Sequence, residues 1–261
     1  MTVQQVYDFI NSVAPFETQV AYDNSGLLVG SPAQKVTGVM FALDVTDRVI
    51  DSALTRGCNL IVTHHPMMFS PIKRILKEER EGRLICRLIR SDISLIAAHT
   101  NLDQAPGGVN DVLARAIGLE NVTGEGFVRV GDLPRPMNAE ALAEHISQAL
   151  GDVVRVMGED RLVTRLGLCS GSGSDEWLDA LAMGAQAFLT GEAKHHHALE
   201  ADSAGVTLLE GGHYATEAPG IFSLANALQT HLNDVECNVH VFCALNKRYR
   251  AAYQTVGYDP A

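Results

Sequence analysis

The stretch 36–66, VTGVMFALDVTDRVIDSALTRGCNLIVTHHP, decides the architecture. Two apolar bursts, residues 39–43 and 60–63, enclose residues 47–55, whose apolar positions fall at helical spacing. A strand, a helix and a second strand in that order form a βαβ unit, the building block of a parallel α/β sheet. The same alternation continues with a helix over 78–91, a strand over 93–98 and a helix over 109–117. Upstream, residues 3–13 carry Val3, Val6, Phe9, Ile10 and Val13 at helical spacing behind Thr2, a good N-cap. A polar turn, Tyr22-Asp23-Asn24-Ser25-Gly26, then feeds the apolar run Leu27-Leu28-Val29.

Residues 124–137, rich in Gly and Pro, read as the break between two halves, 1–125 and 126–261, with the C-terminal segment expected to pack back on the first half. The second half repeats the order of the first. A strand over 162–169 is followed by the loop Ser170-Gly171-Ser172-Gly173-Ser174, a helix over 176–183 and a strand over 187–190. A helix over 193–201, a strand over 206–209, a helix over 221–232 and a strand over 239–243 complete it. The fold class expected is therefore α/β, as two similar α/β domains. Residue patterns agree: Ala53-Leu54-x-x-Gly57 with Thr63 downstream can be laid against Ala180-Leu181-x-x-Gly184 with Thr190 downstream. A later strand in each half ends in a histidine with a carboxylate four residues on, His99 with Asp103 and His213 with Glu217. In parallel α/β sheets ligands bind at that C-terminal strand edge.

A length of 261 residues suits one large or two smaller α/β units, and 46% hydrophobic with 20% charged residues excludes disorder as the working state. Lys and Arg total 20 against 31 Asp and Glu, a formal net charge of −11. That balance disfavours nucleic acid or an anionic membrane as a partner of the bulk surface and confines any such contact to a local basic groove. Apolar runs such as residues 95–98 fall far below the roughly 20 residues needed to span a bilayer. The chain begins with no basic region followed by an apolar stretch, so the expectation is a soluble, cytoplasmic protein. The cysteines, Cys58, Cys86, Cys169, Cys237 and Cys243, include no CxxC and read as reduced thiols.

Thr63-His64-His65-Pro66 leaves a strand where a turn begins. Neighbouring side chains on a regular strand point to opposite faces, so both imidazoles can serve one site only if the strand ends there, as Pro66 directs. Together with His99–Asp103 and His213–Glu217, these residues offer imidazole and carboxylate donors suited to Zn, Fe, Mn, Co or Ni. Gly107-Gly108 and Gly211-Gly212 permit tight turns beside the clusters but match no phosphate-loop spacing. On a helix, His195-His196-His197 diverge by about 100° per residue, so one of the three at most faces a common site. His145, His231 and His240 lack partners at ligand spacing and read as structural.

The ordered motifs resemble those of the GTP cyclohydrolase type 2 homologues, also described as Nif-three-like dinuclear metal proteins. The resemblance runs through Asp23-Asn24-Ser25-Gly26-Leu27, Thr63-His64-His65-Pro66, His99-Thr100-Asn101-Leu102-Asp103, Gly107-Gly108-Val109-Asn110-Asp111, Thr190-Gly191-Glu192 and Gly212-His213-Tyr214-Ala215-Thr216-Glu217. It implies two divalent metal ions lying between the domains at strand C-terminal ends. His65, Asp103 and Glu217 would bind one, His64 and His213 the other, with Glu217 bridging and His99 just outside the ligand set. The spacing from Asp103 to His213 corresponds to the short form of the family, without a long inserted domain. The resemblance further implies a ring-shaped homohexamer. The function expected is metal-dependent hydrolysis of a nucleotide-like or other small anionic substrate, GTP cyclohydrolase-like, through a metal-activated water. A ring-forming scaffold or regulatory binding protein without turnover, and a di-iron redox protein, are the alternatives.

Overall fold

A computed structural model of the chain describes residues 1–244; the part of the expected second half beyond residue 244 lies outside them. The chain separates into two compact units. One comprises Met1–Gly108 with the described residues from Ile221 onward, and the other is Val109–Gly220. Each is α/β.

The first unit opens with α1 (Val3–Val13). Thr2 caps it reciprocally, accepting from Gln5 N while the Gln5 side chain accepts from Thr2 N at 2.8 Å. Then come β1 (Gly26–Val29), β2 (Gly38–Ala42), α2 (Asp47–Thr55), β3 (Leu60–Thr63), α3 (Arg80–Arg90), β4 (Ser94–Ala97) and α4 (Thr100–Gln104). Thr46 caps α2 through Val49 N at 3.2 Å. The second unit runs α5 (Val109–Ile117), β5 (Glu120–Thr123), β6 (Arg129–Asn138), α6 (Ala139–Leu150), β7 (Arg155–Met157), β8 (Leu162–Cys169), α7 (Trp177–Ala182), β9 (Ala187–Thr190), α8 (His195–Ser203) and β10 (Thr207–Glu210). It also holds the start of α9 (His213–Asp234), which passes into the first unit just after Pro219-Gly220; β11 (His240–Cys243) follows there.

The first unit's sheet has the order β1-β4-β3-β2-β11, with only β1 antiparallel. The second sheet is β5-β6-β8-β9-β10-β7, in which β8, β9 and β10 are mutually parallel. The parallel strands β2, β3, β4 and β9 are buried along their whole length, so they read as continuous apolar runs. The core of the first unit gathers Met40, Ile50, Ile61, Leu84, Leu88 and Leu95, and cores of the second gather around Leu142, Ile146, Leu166 and Leu189 and around Trp177, Phe188 and Leu208. Burial pushes the Cys58 and Cys243 thiols up to about 11, which leaves both unreactive at neutral pH.

Two stretches differ from the sequence reading. Residues 124–137 are a turn over 124–128 followed by most of β6: Gly124, at φ +150, leads the chain out of β5, and β6 pairs with both β5 and β8. Pro134 and Pro136 are accommodated because the register with β8 is interrupted between Asp132 and Met137, where no ladder donor is needed. The helix expected over 221–232 begins at His213, so His213 and Glu217 lie on its first turns and not in a loop. Gly211-Gly212 ahead of it and Pro219-Gly220 inside it conceal the helical pattern.

The central strand β3 sets the position of His64 and His65, and Ile61 within it is fully buried. Ile61→Ala is expected to cost about 2–5 kcal/mol through lost burial and a residual cavity, read as a lower midpoint in urea at unchanged slope.

Candidate metal centre

In the first unit three adjacent parallel strands end side by side, and their ends supply the polar groups. Asp44 follows β2, His64 and His65 follow β3, and His99 follows β4 as the cap of α4, whose side chains include Asp103. The three imidazoles form a triangle: ring centroids are 5.0 Å apart for His64 and His65, 5.1 Å for His64 and His99, and 5.5 Å for His65 and His99. Each offers one ring nitrogen such that the three nitrogens lie within 4.8 Å of one another.

Each ring is held by its other nitrogen. Nδ1 of His64 meets the Ala98 carbonyl oxygen at 2.9 Å, that of His65 meets Asp44 Oδ1 at 3.1 Å, and that of His99 meets Asp23 Oδ1 at 2.9 Å. A carbonyl or carboxylate oxygen only accepts, so Nδ1 carries the proton and Nε2 is left with its lone pair. His64 is wholly buried, and its Nε2 faces Asp103 Oδ1 at 3.4 Å. A lone pair and a carboxylate oxygen at that separation attract a shared cation, whether a proton or a metal ion. The donor set fits a first-row divalent metal, and the oxygens behind the rings are the partners that orient metal-binding histidines.

Asp23 is itself tightly bound. Its Oδ2 accepts from Thr100 N at 3.1 Å, from Ser25 Oγ at 3.1 Å and from Thr100 Oγ1, and its Oδ1 from Asn24 N at 2.7 Å. Burial alone would raise its carboxyl. Hydrogen bonds from the His99 ring, from Thr100 and from the Asn24 N–H outweigh burial and hold it well below the usual carboxylate range.

The second unit repeats the plan with other side chains. Strand β8 ends in Ser170-Gly171-Ser172, β9 in Gly191-Glu192, and β10 in Gly211-Gly212 leading to His213. His213 and Glu217 are one helical turn apart on α9, with His213 Nε2 3.0 Å from Glu217 Oε1. His213 Nδ1 lies 3.2 Å from Glu192 Oε1, and Ser172 Oγ donates to Glu192 Oε2 at 2.9 Å. Glu192 thus stands behind His213 as Asp44 stands behind His65. A Cβ at Gly171, which has φ +59, would stand 2.2 Å from Glu217 Oε1 and 3.3 Å from His213 Nε2, so only glycine leaves room for these side chains.

Of the sequence-derived residues, the first unit brings together His64, His65, His99 and Asp103, and the second brings together His213 and Glu217. In the triple-histidine run only His197 is buried, its Nδ1 3.0 Å from Ser174 Oγ and its Nε2 3.2 Å from Asp175 Oδ1. His145 is held by the Ile117 carbonyl at 2.7 Å, and His231 stacks on Phe9. Sequence reasoning did not single out Asp44 and named Asp23 and Glu192 only as members of motifs. Their common signal, visible beforehand, is a lone acid one or two residues past a strand end or within a polar turn.

The chain is similar to known proteins over most of its length. Residues 1–248 match the family described as Duf34/NIF3 (NGG1p interacting factor 3). A Clostridium perfringens protein named GTP cyclohydrolase 1 type 2 homolog is 32% identical over 248 residues, covering 90% of this chain and 95% of its own. A Clostridium acetobutylicum protein of the same name is 28% identical over 258 residues, covering 94% and 96%. The crystal structure of Staphylococcus aureus hypothetical protein SA1388 superposes with a TM-score of 0.89 at 30% identity, covering 94% of this chain and 97% of that one.

Two outcomes follow from the oxygens behind the rings. Asp44→Ala frees the His65 ring to rotate and is expected to weaken metal binding by about 10–100-fold, measured by competition with a chromophoric chelator, while far-UV circular dichroism is unchanged. The folded carboxyl of Asp23 is depressed relative to about 3.9 unfolded. Its stabilising contribution is therefore complete above about pH 4 and disappears as pH falls through the folded value. Asp23→Asn should flatten the acid limb of stability against pH in urea melts below pH 4, and an unaltered limb would contradict the assignment.

Proposed function

This chain belongs to the Duf34/NIF3 family, and from that membership we propose a dinuclear-metal-dependent hydrolase acting on a nucleotide-like or other small anionic substrate. The proposal pools the donors of the two units. His65, Asp103 and Glu217 would hold one divalent ion (Fe, Zn, Mn, Co or Ni), His64 and His213 would hold the second, Glu217 would serve both, and His99 would stand beside them. Its carrying observation is the buried His64 ring, whose Nδ1 is already given to the Ala98 carbonyl while Nε2 faces Asp103. The His213 and Glu217 pair, with Glu192 behind it, supports the same reading.

Bound at such donors, divalent ions polarise a substrate oxygen and lower the pKa of a water toward about 7. The chain's own contribution is orientation. Asp44, Asp23 and Glu192 keep the Nδ1 protons of His65, His99 and His213 in place and so aim the rings. The carboxylates of Asp103 and Glu217 would offset only part of the charge of two divalent cations, so the site would favour an anionic or strongly polar oxygen on the substrate. The relatives' name, GTP cyclohydrolase 1 type 2 homolog, supports a purine nucleotide as the first substrate to try. The proposal extends to a ring-shaped homohexamer in the cytoplasm. No described helix is long and apolar enough to cross a membrane.

The experiment is incubation of the protein, its metal content quantified by mass spectrometry, with GTP and a panel of phosphoesters beside a His64→Ala control. The expected result is turnover by the wild type and none by the control, whose metal content also falls. Full metal occupancy with no turnover above the control rejects the hydrolase and leaves the binding or scaffold protein. Sedimentation velocity reads the hexamer separately.

A further inference from the structure

Tyr22 and Phe69 stand beside the histidine cluster of the first unit with their rings in the open: Tyr22 is 68% exposed and Phe69 47%. Phe16 and Phe41 of the same unit are almost wholly buried, which is where such rings ordinarily stabilise a fold. One exposed aromatic needs no explanation. Here two from separate segments converge, their centroids 6.1 Å apart and tilted by 51°. Phe69 in turn meets His99 edge to face, with centroids 6.2 Å apart at 77°. A continuous aromatic path therefore leads from solvent at Tyr22, across Phe69 and His99, to the rings of His64 and His65.

The pair is held in place by the groups that build the site. Asn24 Nδ2 donates to the Met68 carbonyl at 2.6 Å, tying the turn that carries Tyr22 to the residue before Phe69. Within that turn Asp23 grips His99 and Thr100. Three of the turn's side chains, Asp23, Asn24 and Ser25, thus serve the histidine cluster and its flanking loop, whereas Tyr22 stays largely exposed. An aromatic face kept out of the core and set a few ångströms from imidazoles suits a flat partner, because aromatic rings attract one another at centroid separations of about 4.5–7 Å in offset or tilted geometry.

We propose that Tyr22 and Phe69 form a stacking subsite for a planar aromatic or heteroaromatic ring of the ligand whose anionic end is drawn to the neighbouring metal-ligand cluster. This rests on the functional reading above only for the anionic end; recognition of the ring depends on the two exposed side chains. It narrows the ligand class. A sugar phosphate of the same charge has no face to offer Tyr22 and Phe69, whereas a nucleotide does, and base stacking on an aromatic side chain tolerates any base.

The test compares AMP and GMP with ribose 5-phosphate by isothermal titration calorimetry on the full chain, with metal content quantified for every sample. Wild-type protein is expected to bind both nucleotides at least about tenfold more tightly than the sugar phosphate. Phe69→Ala and Tyr22→Ala should each lose about tenfold for the nucleotides and little for ribose 5-phosphate, and Tyr22→Phe, which keeps the ring, should retain wild-type affinity. Equal affinity of the wild type for nucleotides and sugar phosphate, no detectable nucleotide binding, or a loss in the variants that is the same for all three probes overturns the subsite. So does a change in oligomeric state with ligand affinity intact, which would make the rings a contact between copies. Binding needs no turnover, so an inactive but metal-loaded protein defeats the hydrolase reading and leaves this result legible.

Discussion

A proton on Nδ1 is the constraint from which the site follows. Imidazole has two nitrogens of nearly equal basicity, and a ring left to itself exchanges tautomers and rotates. Here the Ala98 carbonyl, Asp44, Asp23 and Glu192 stand behind His64, His65, His99 and His213 and take the Nδ1 side in every case. What remains is Nε2, with its lone pair turned toward a carboxylate in two of the four, Asp103 and Glu217. Burying such groups is costly unless a compensating charge is close, since a carboxylate removed from water forfeits several kcal/mol of hydration. A cation at the lone pairs supplies that compensation, and so the arrangement reads as a binding site more readily than as structural support.

The strands determine which residues meet. In each unit the chain runs strand, helix, strand, helix, strand, helix, through β2-α2-β3-α3-β4-α4 in one and β8-α7-β9-α8-β10-α9 in the other. The three strands are adjacent and parallel in both sheets. Their C-terminal ends therefore lie in a row, and residues distant in sequence become neighbours without any long-range side-chain specificity. The third strand of each set leads directly into a helix, which places His99 with Asp103, and His213 with Glu217, one helical turn apart. The similarity between the two halves visible in the sequence is thus a similarity of topology.

Much of this was legible beforehand because the signals are local. Continuous apolar runs at Leu60–Thr63 and Ala187–Thr190 can only be buried strands when helical stretches flank them, and the histidines fall where those runs stop. Obscured elements had competing local cues: the prolines of β6 sit at a register interruption, and the glycines and proline around α9 hide its first turns. Asp44 could not be assigned a role from its neighbours. An isolated acid after a strand becomes meaningful only when the adjacent strand's His65 is set 3.1 Å away, and sequence separation carries no trace of that distance. The exposure of Phe69 is similarly a property of the folded surface, since an aromatic residue after Met67-Met68 is ordinarily assigned to the core.

The two units nonetheless present different chemistry on the same frame, and backbone space explains why. In the first, the ends of β2 and β3 carry Asp44, His64 and His65, so side chains fill the edge of the sheet and α4 contributes Asp103 from a short helix. In the second, the place of His65 holds Glu192, while those of Asp44 and His64 hold Gly171 and Gly191. A Cβ at Gly191 would come within 2.8 Å of the His213 Cα and of Thr216 Oγ1. With no side chains there, α9 approaches the strand ends closely enough for Thr216 Oγ1 to accept from Gly171 N at 3.1 Å. That closeness leaves His213 and Glu217 as the groups projecting at the edge, with Glu192 behind. Loops at strand ends tolerate such exchange while the buried strands do not, which is how one α/β plan yields an imidazole-rich edge in one unit and a carboxylate-rich edge in the other.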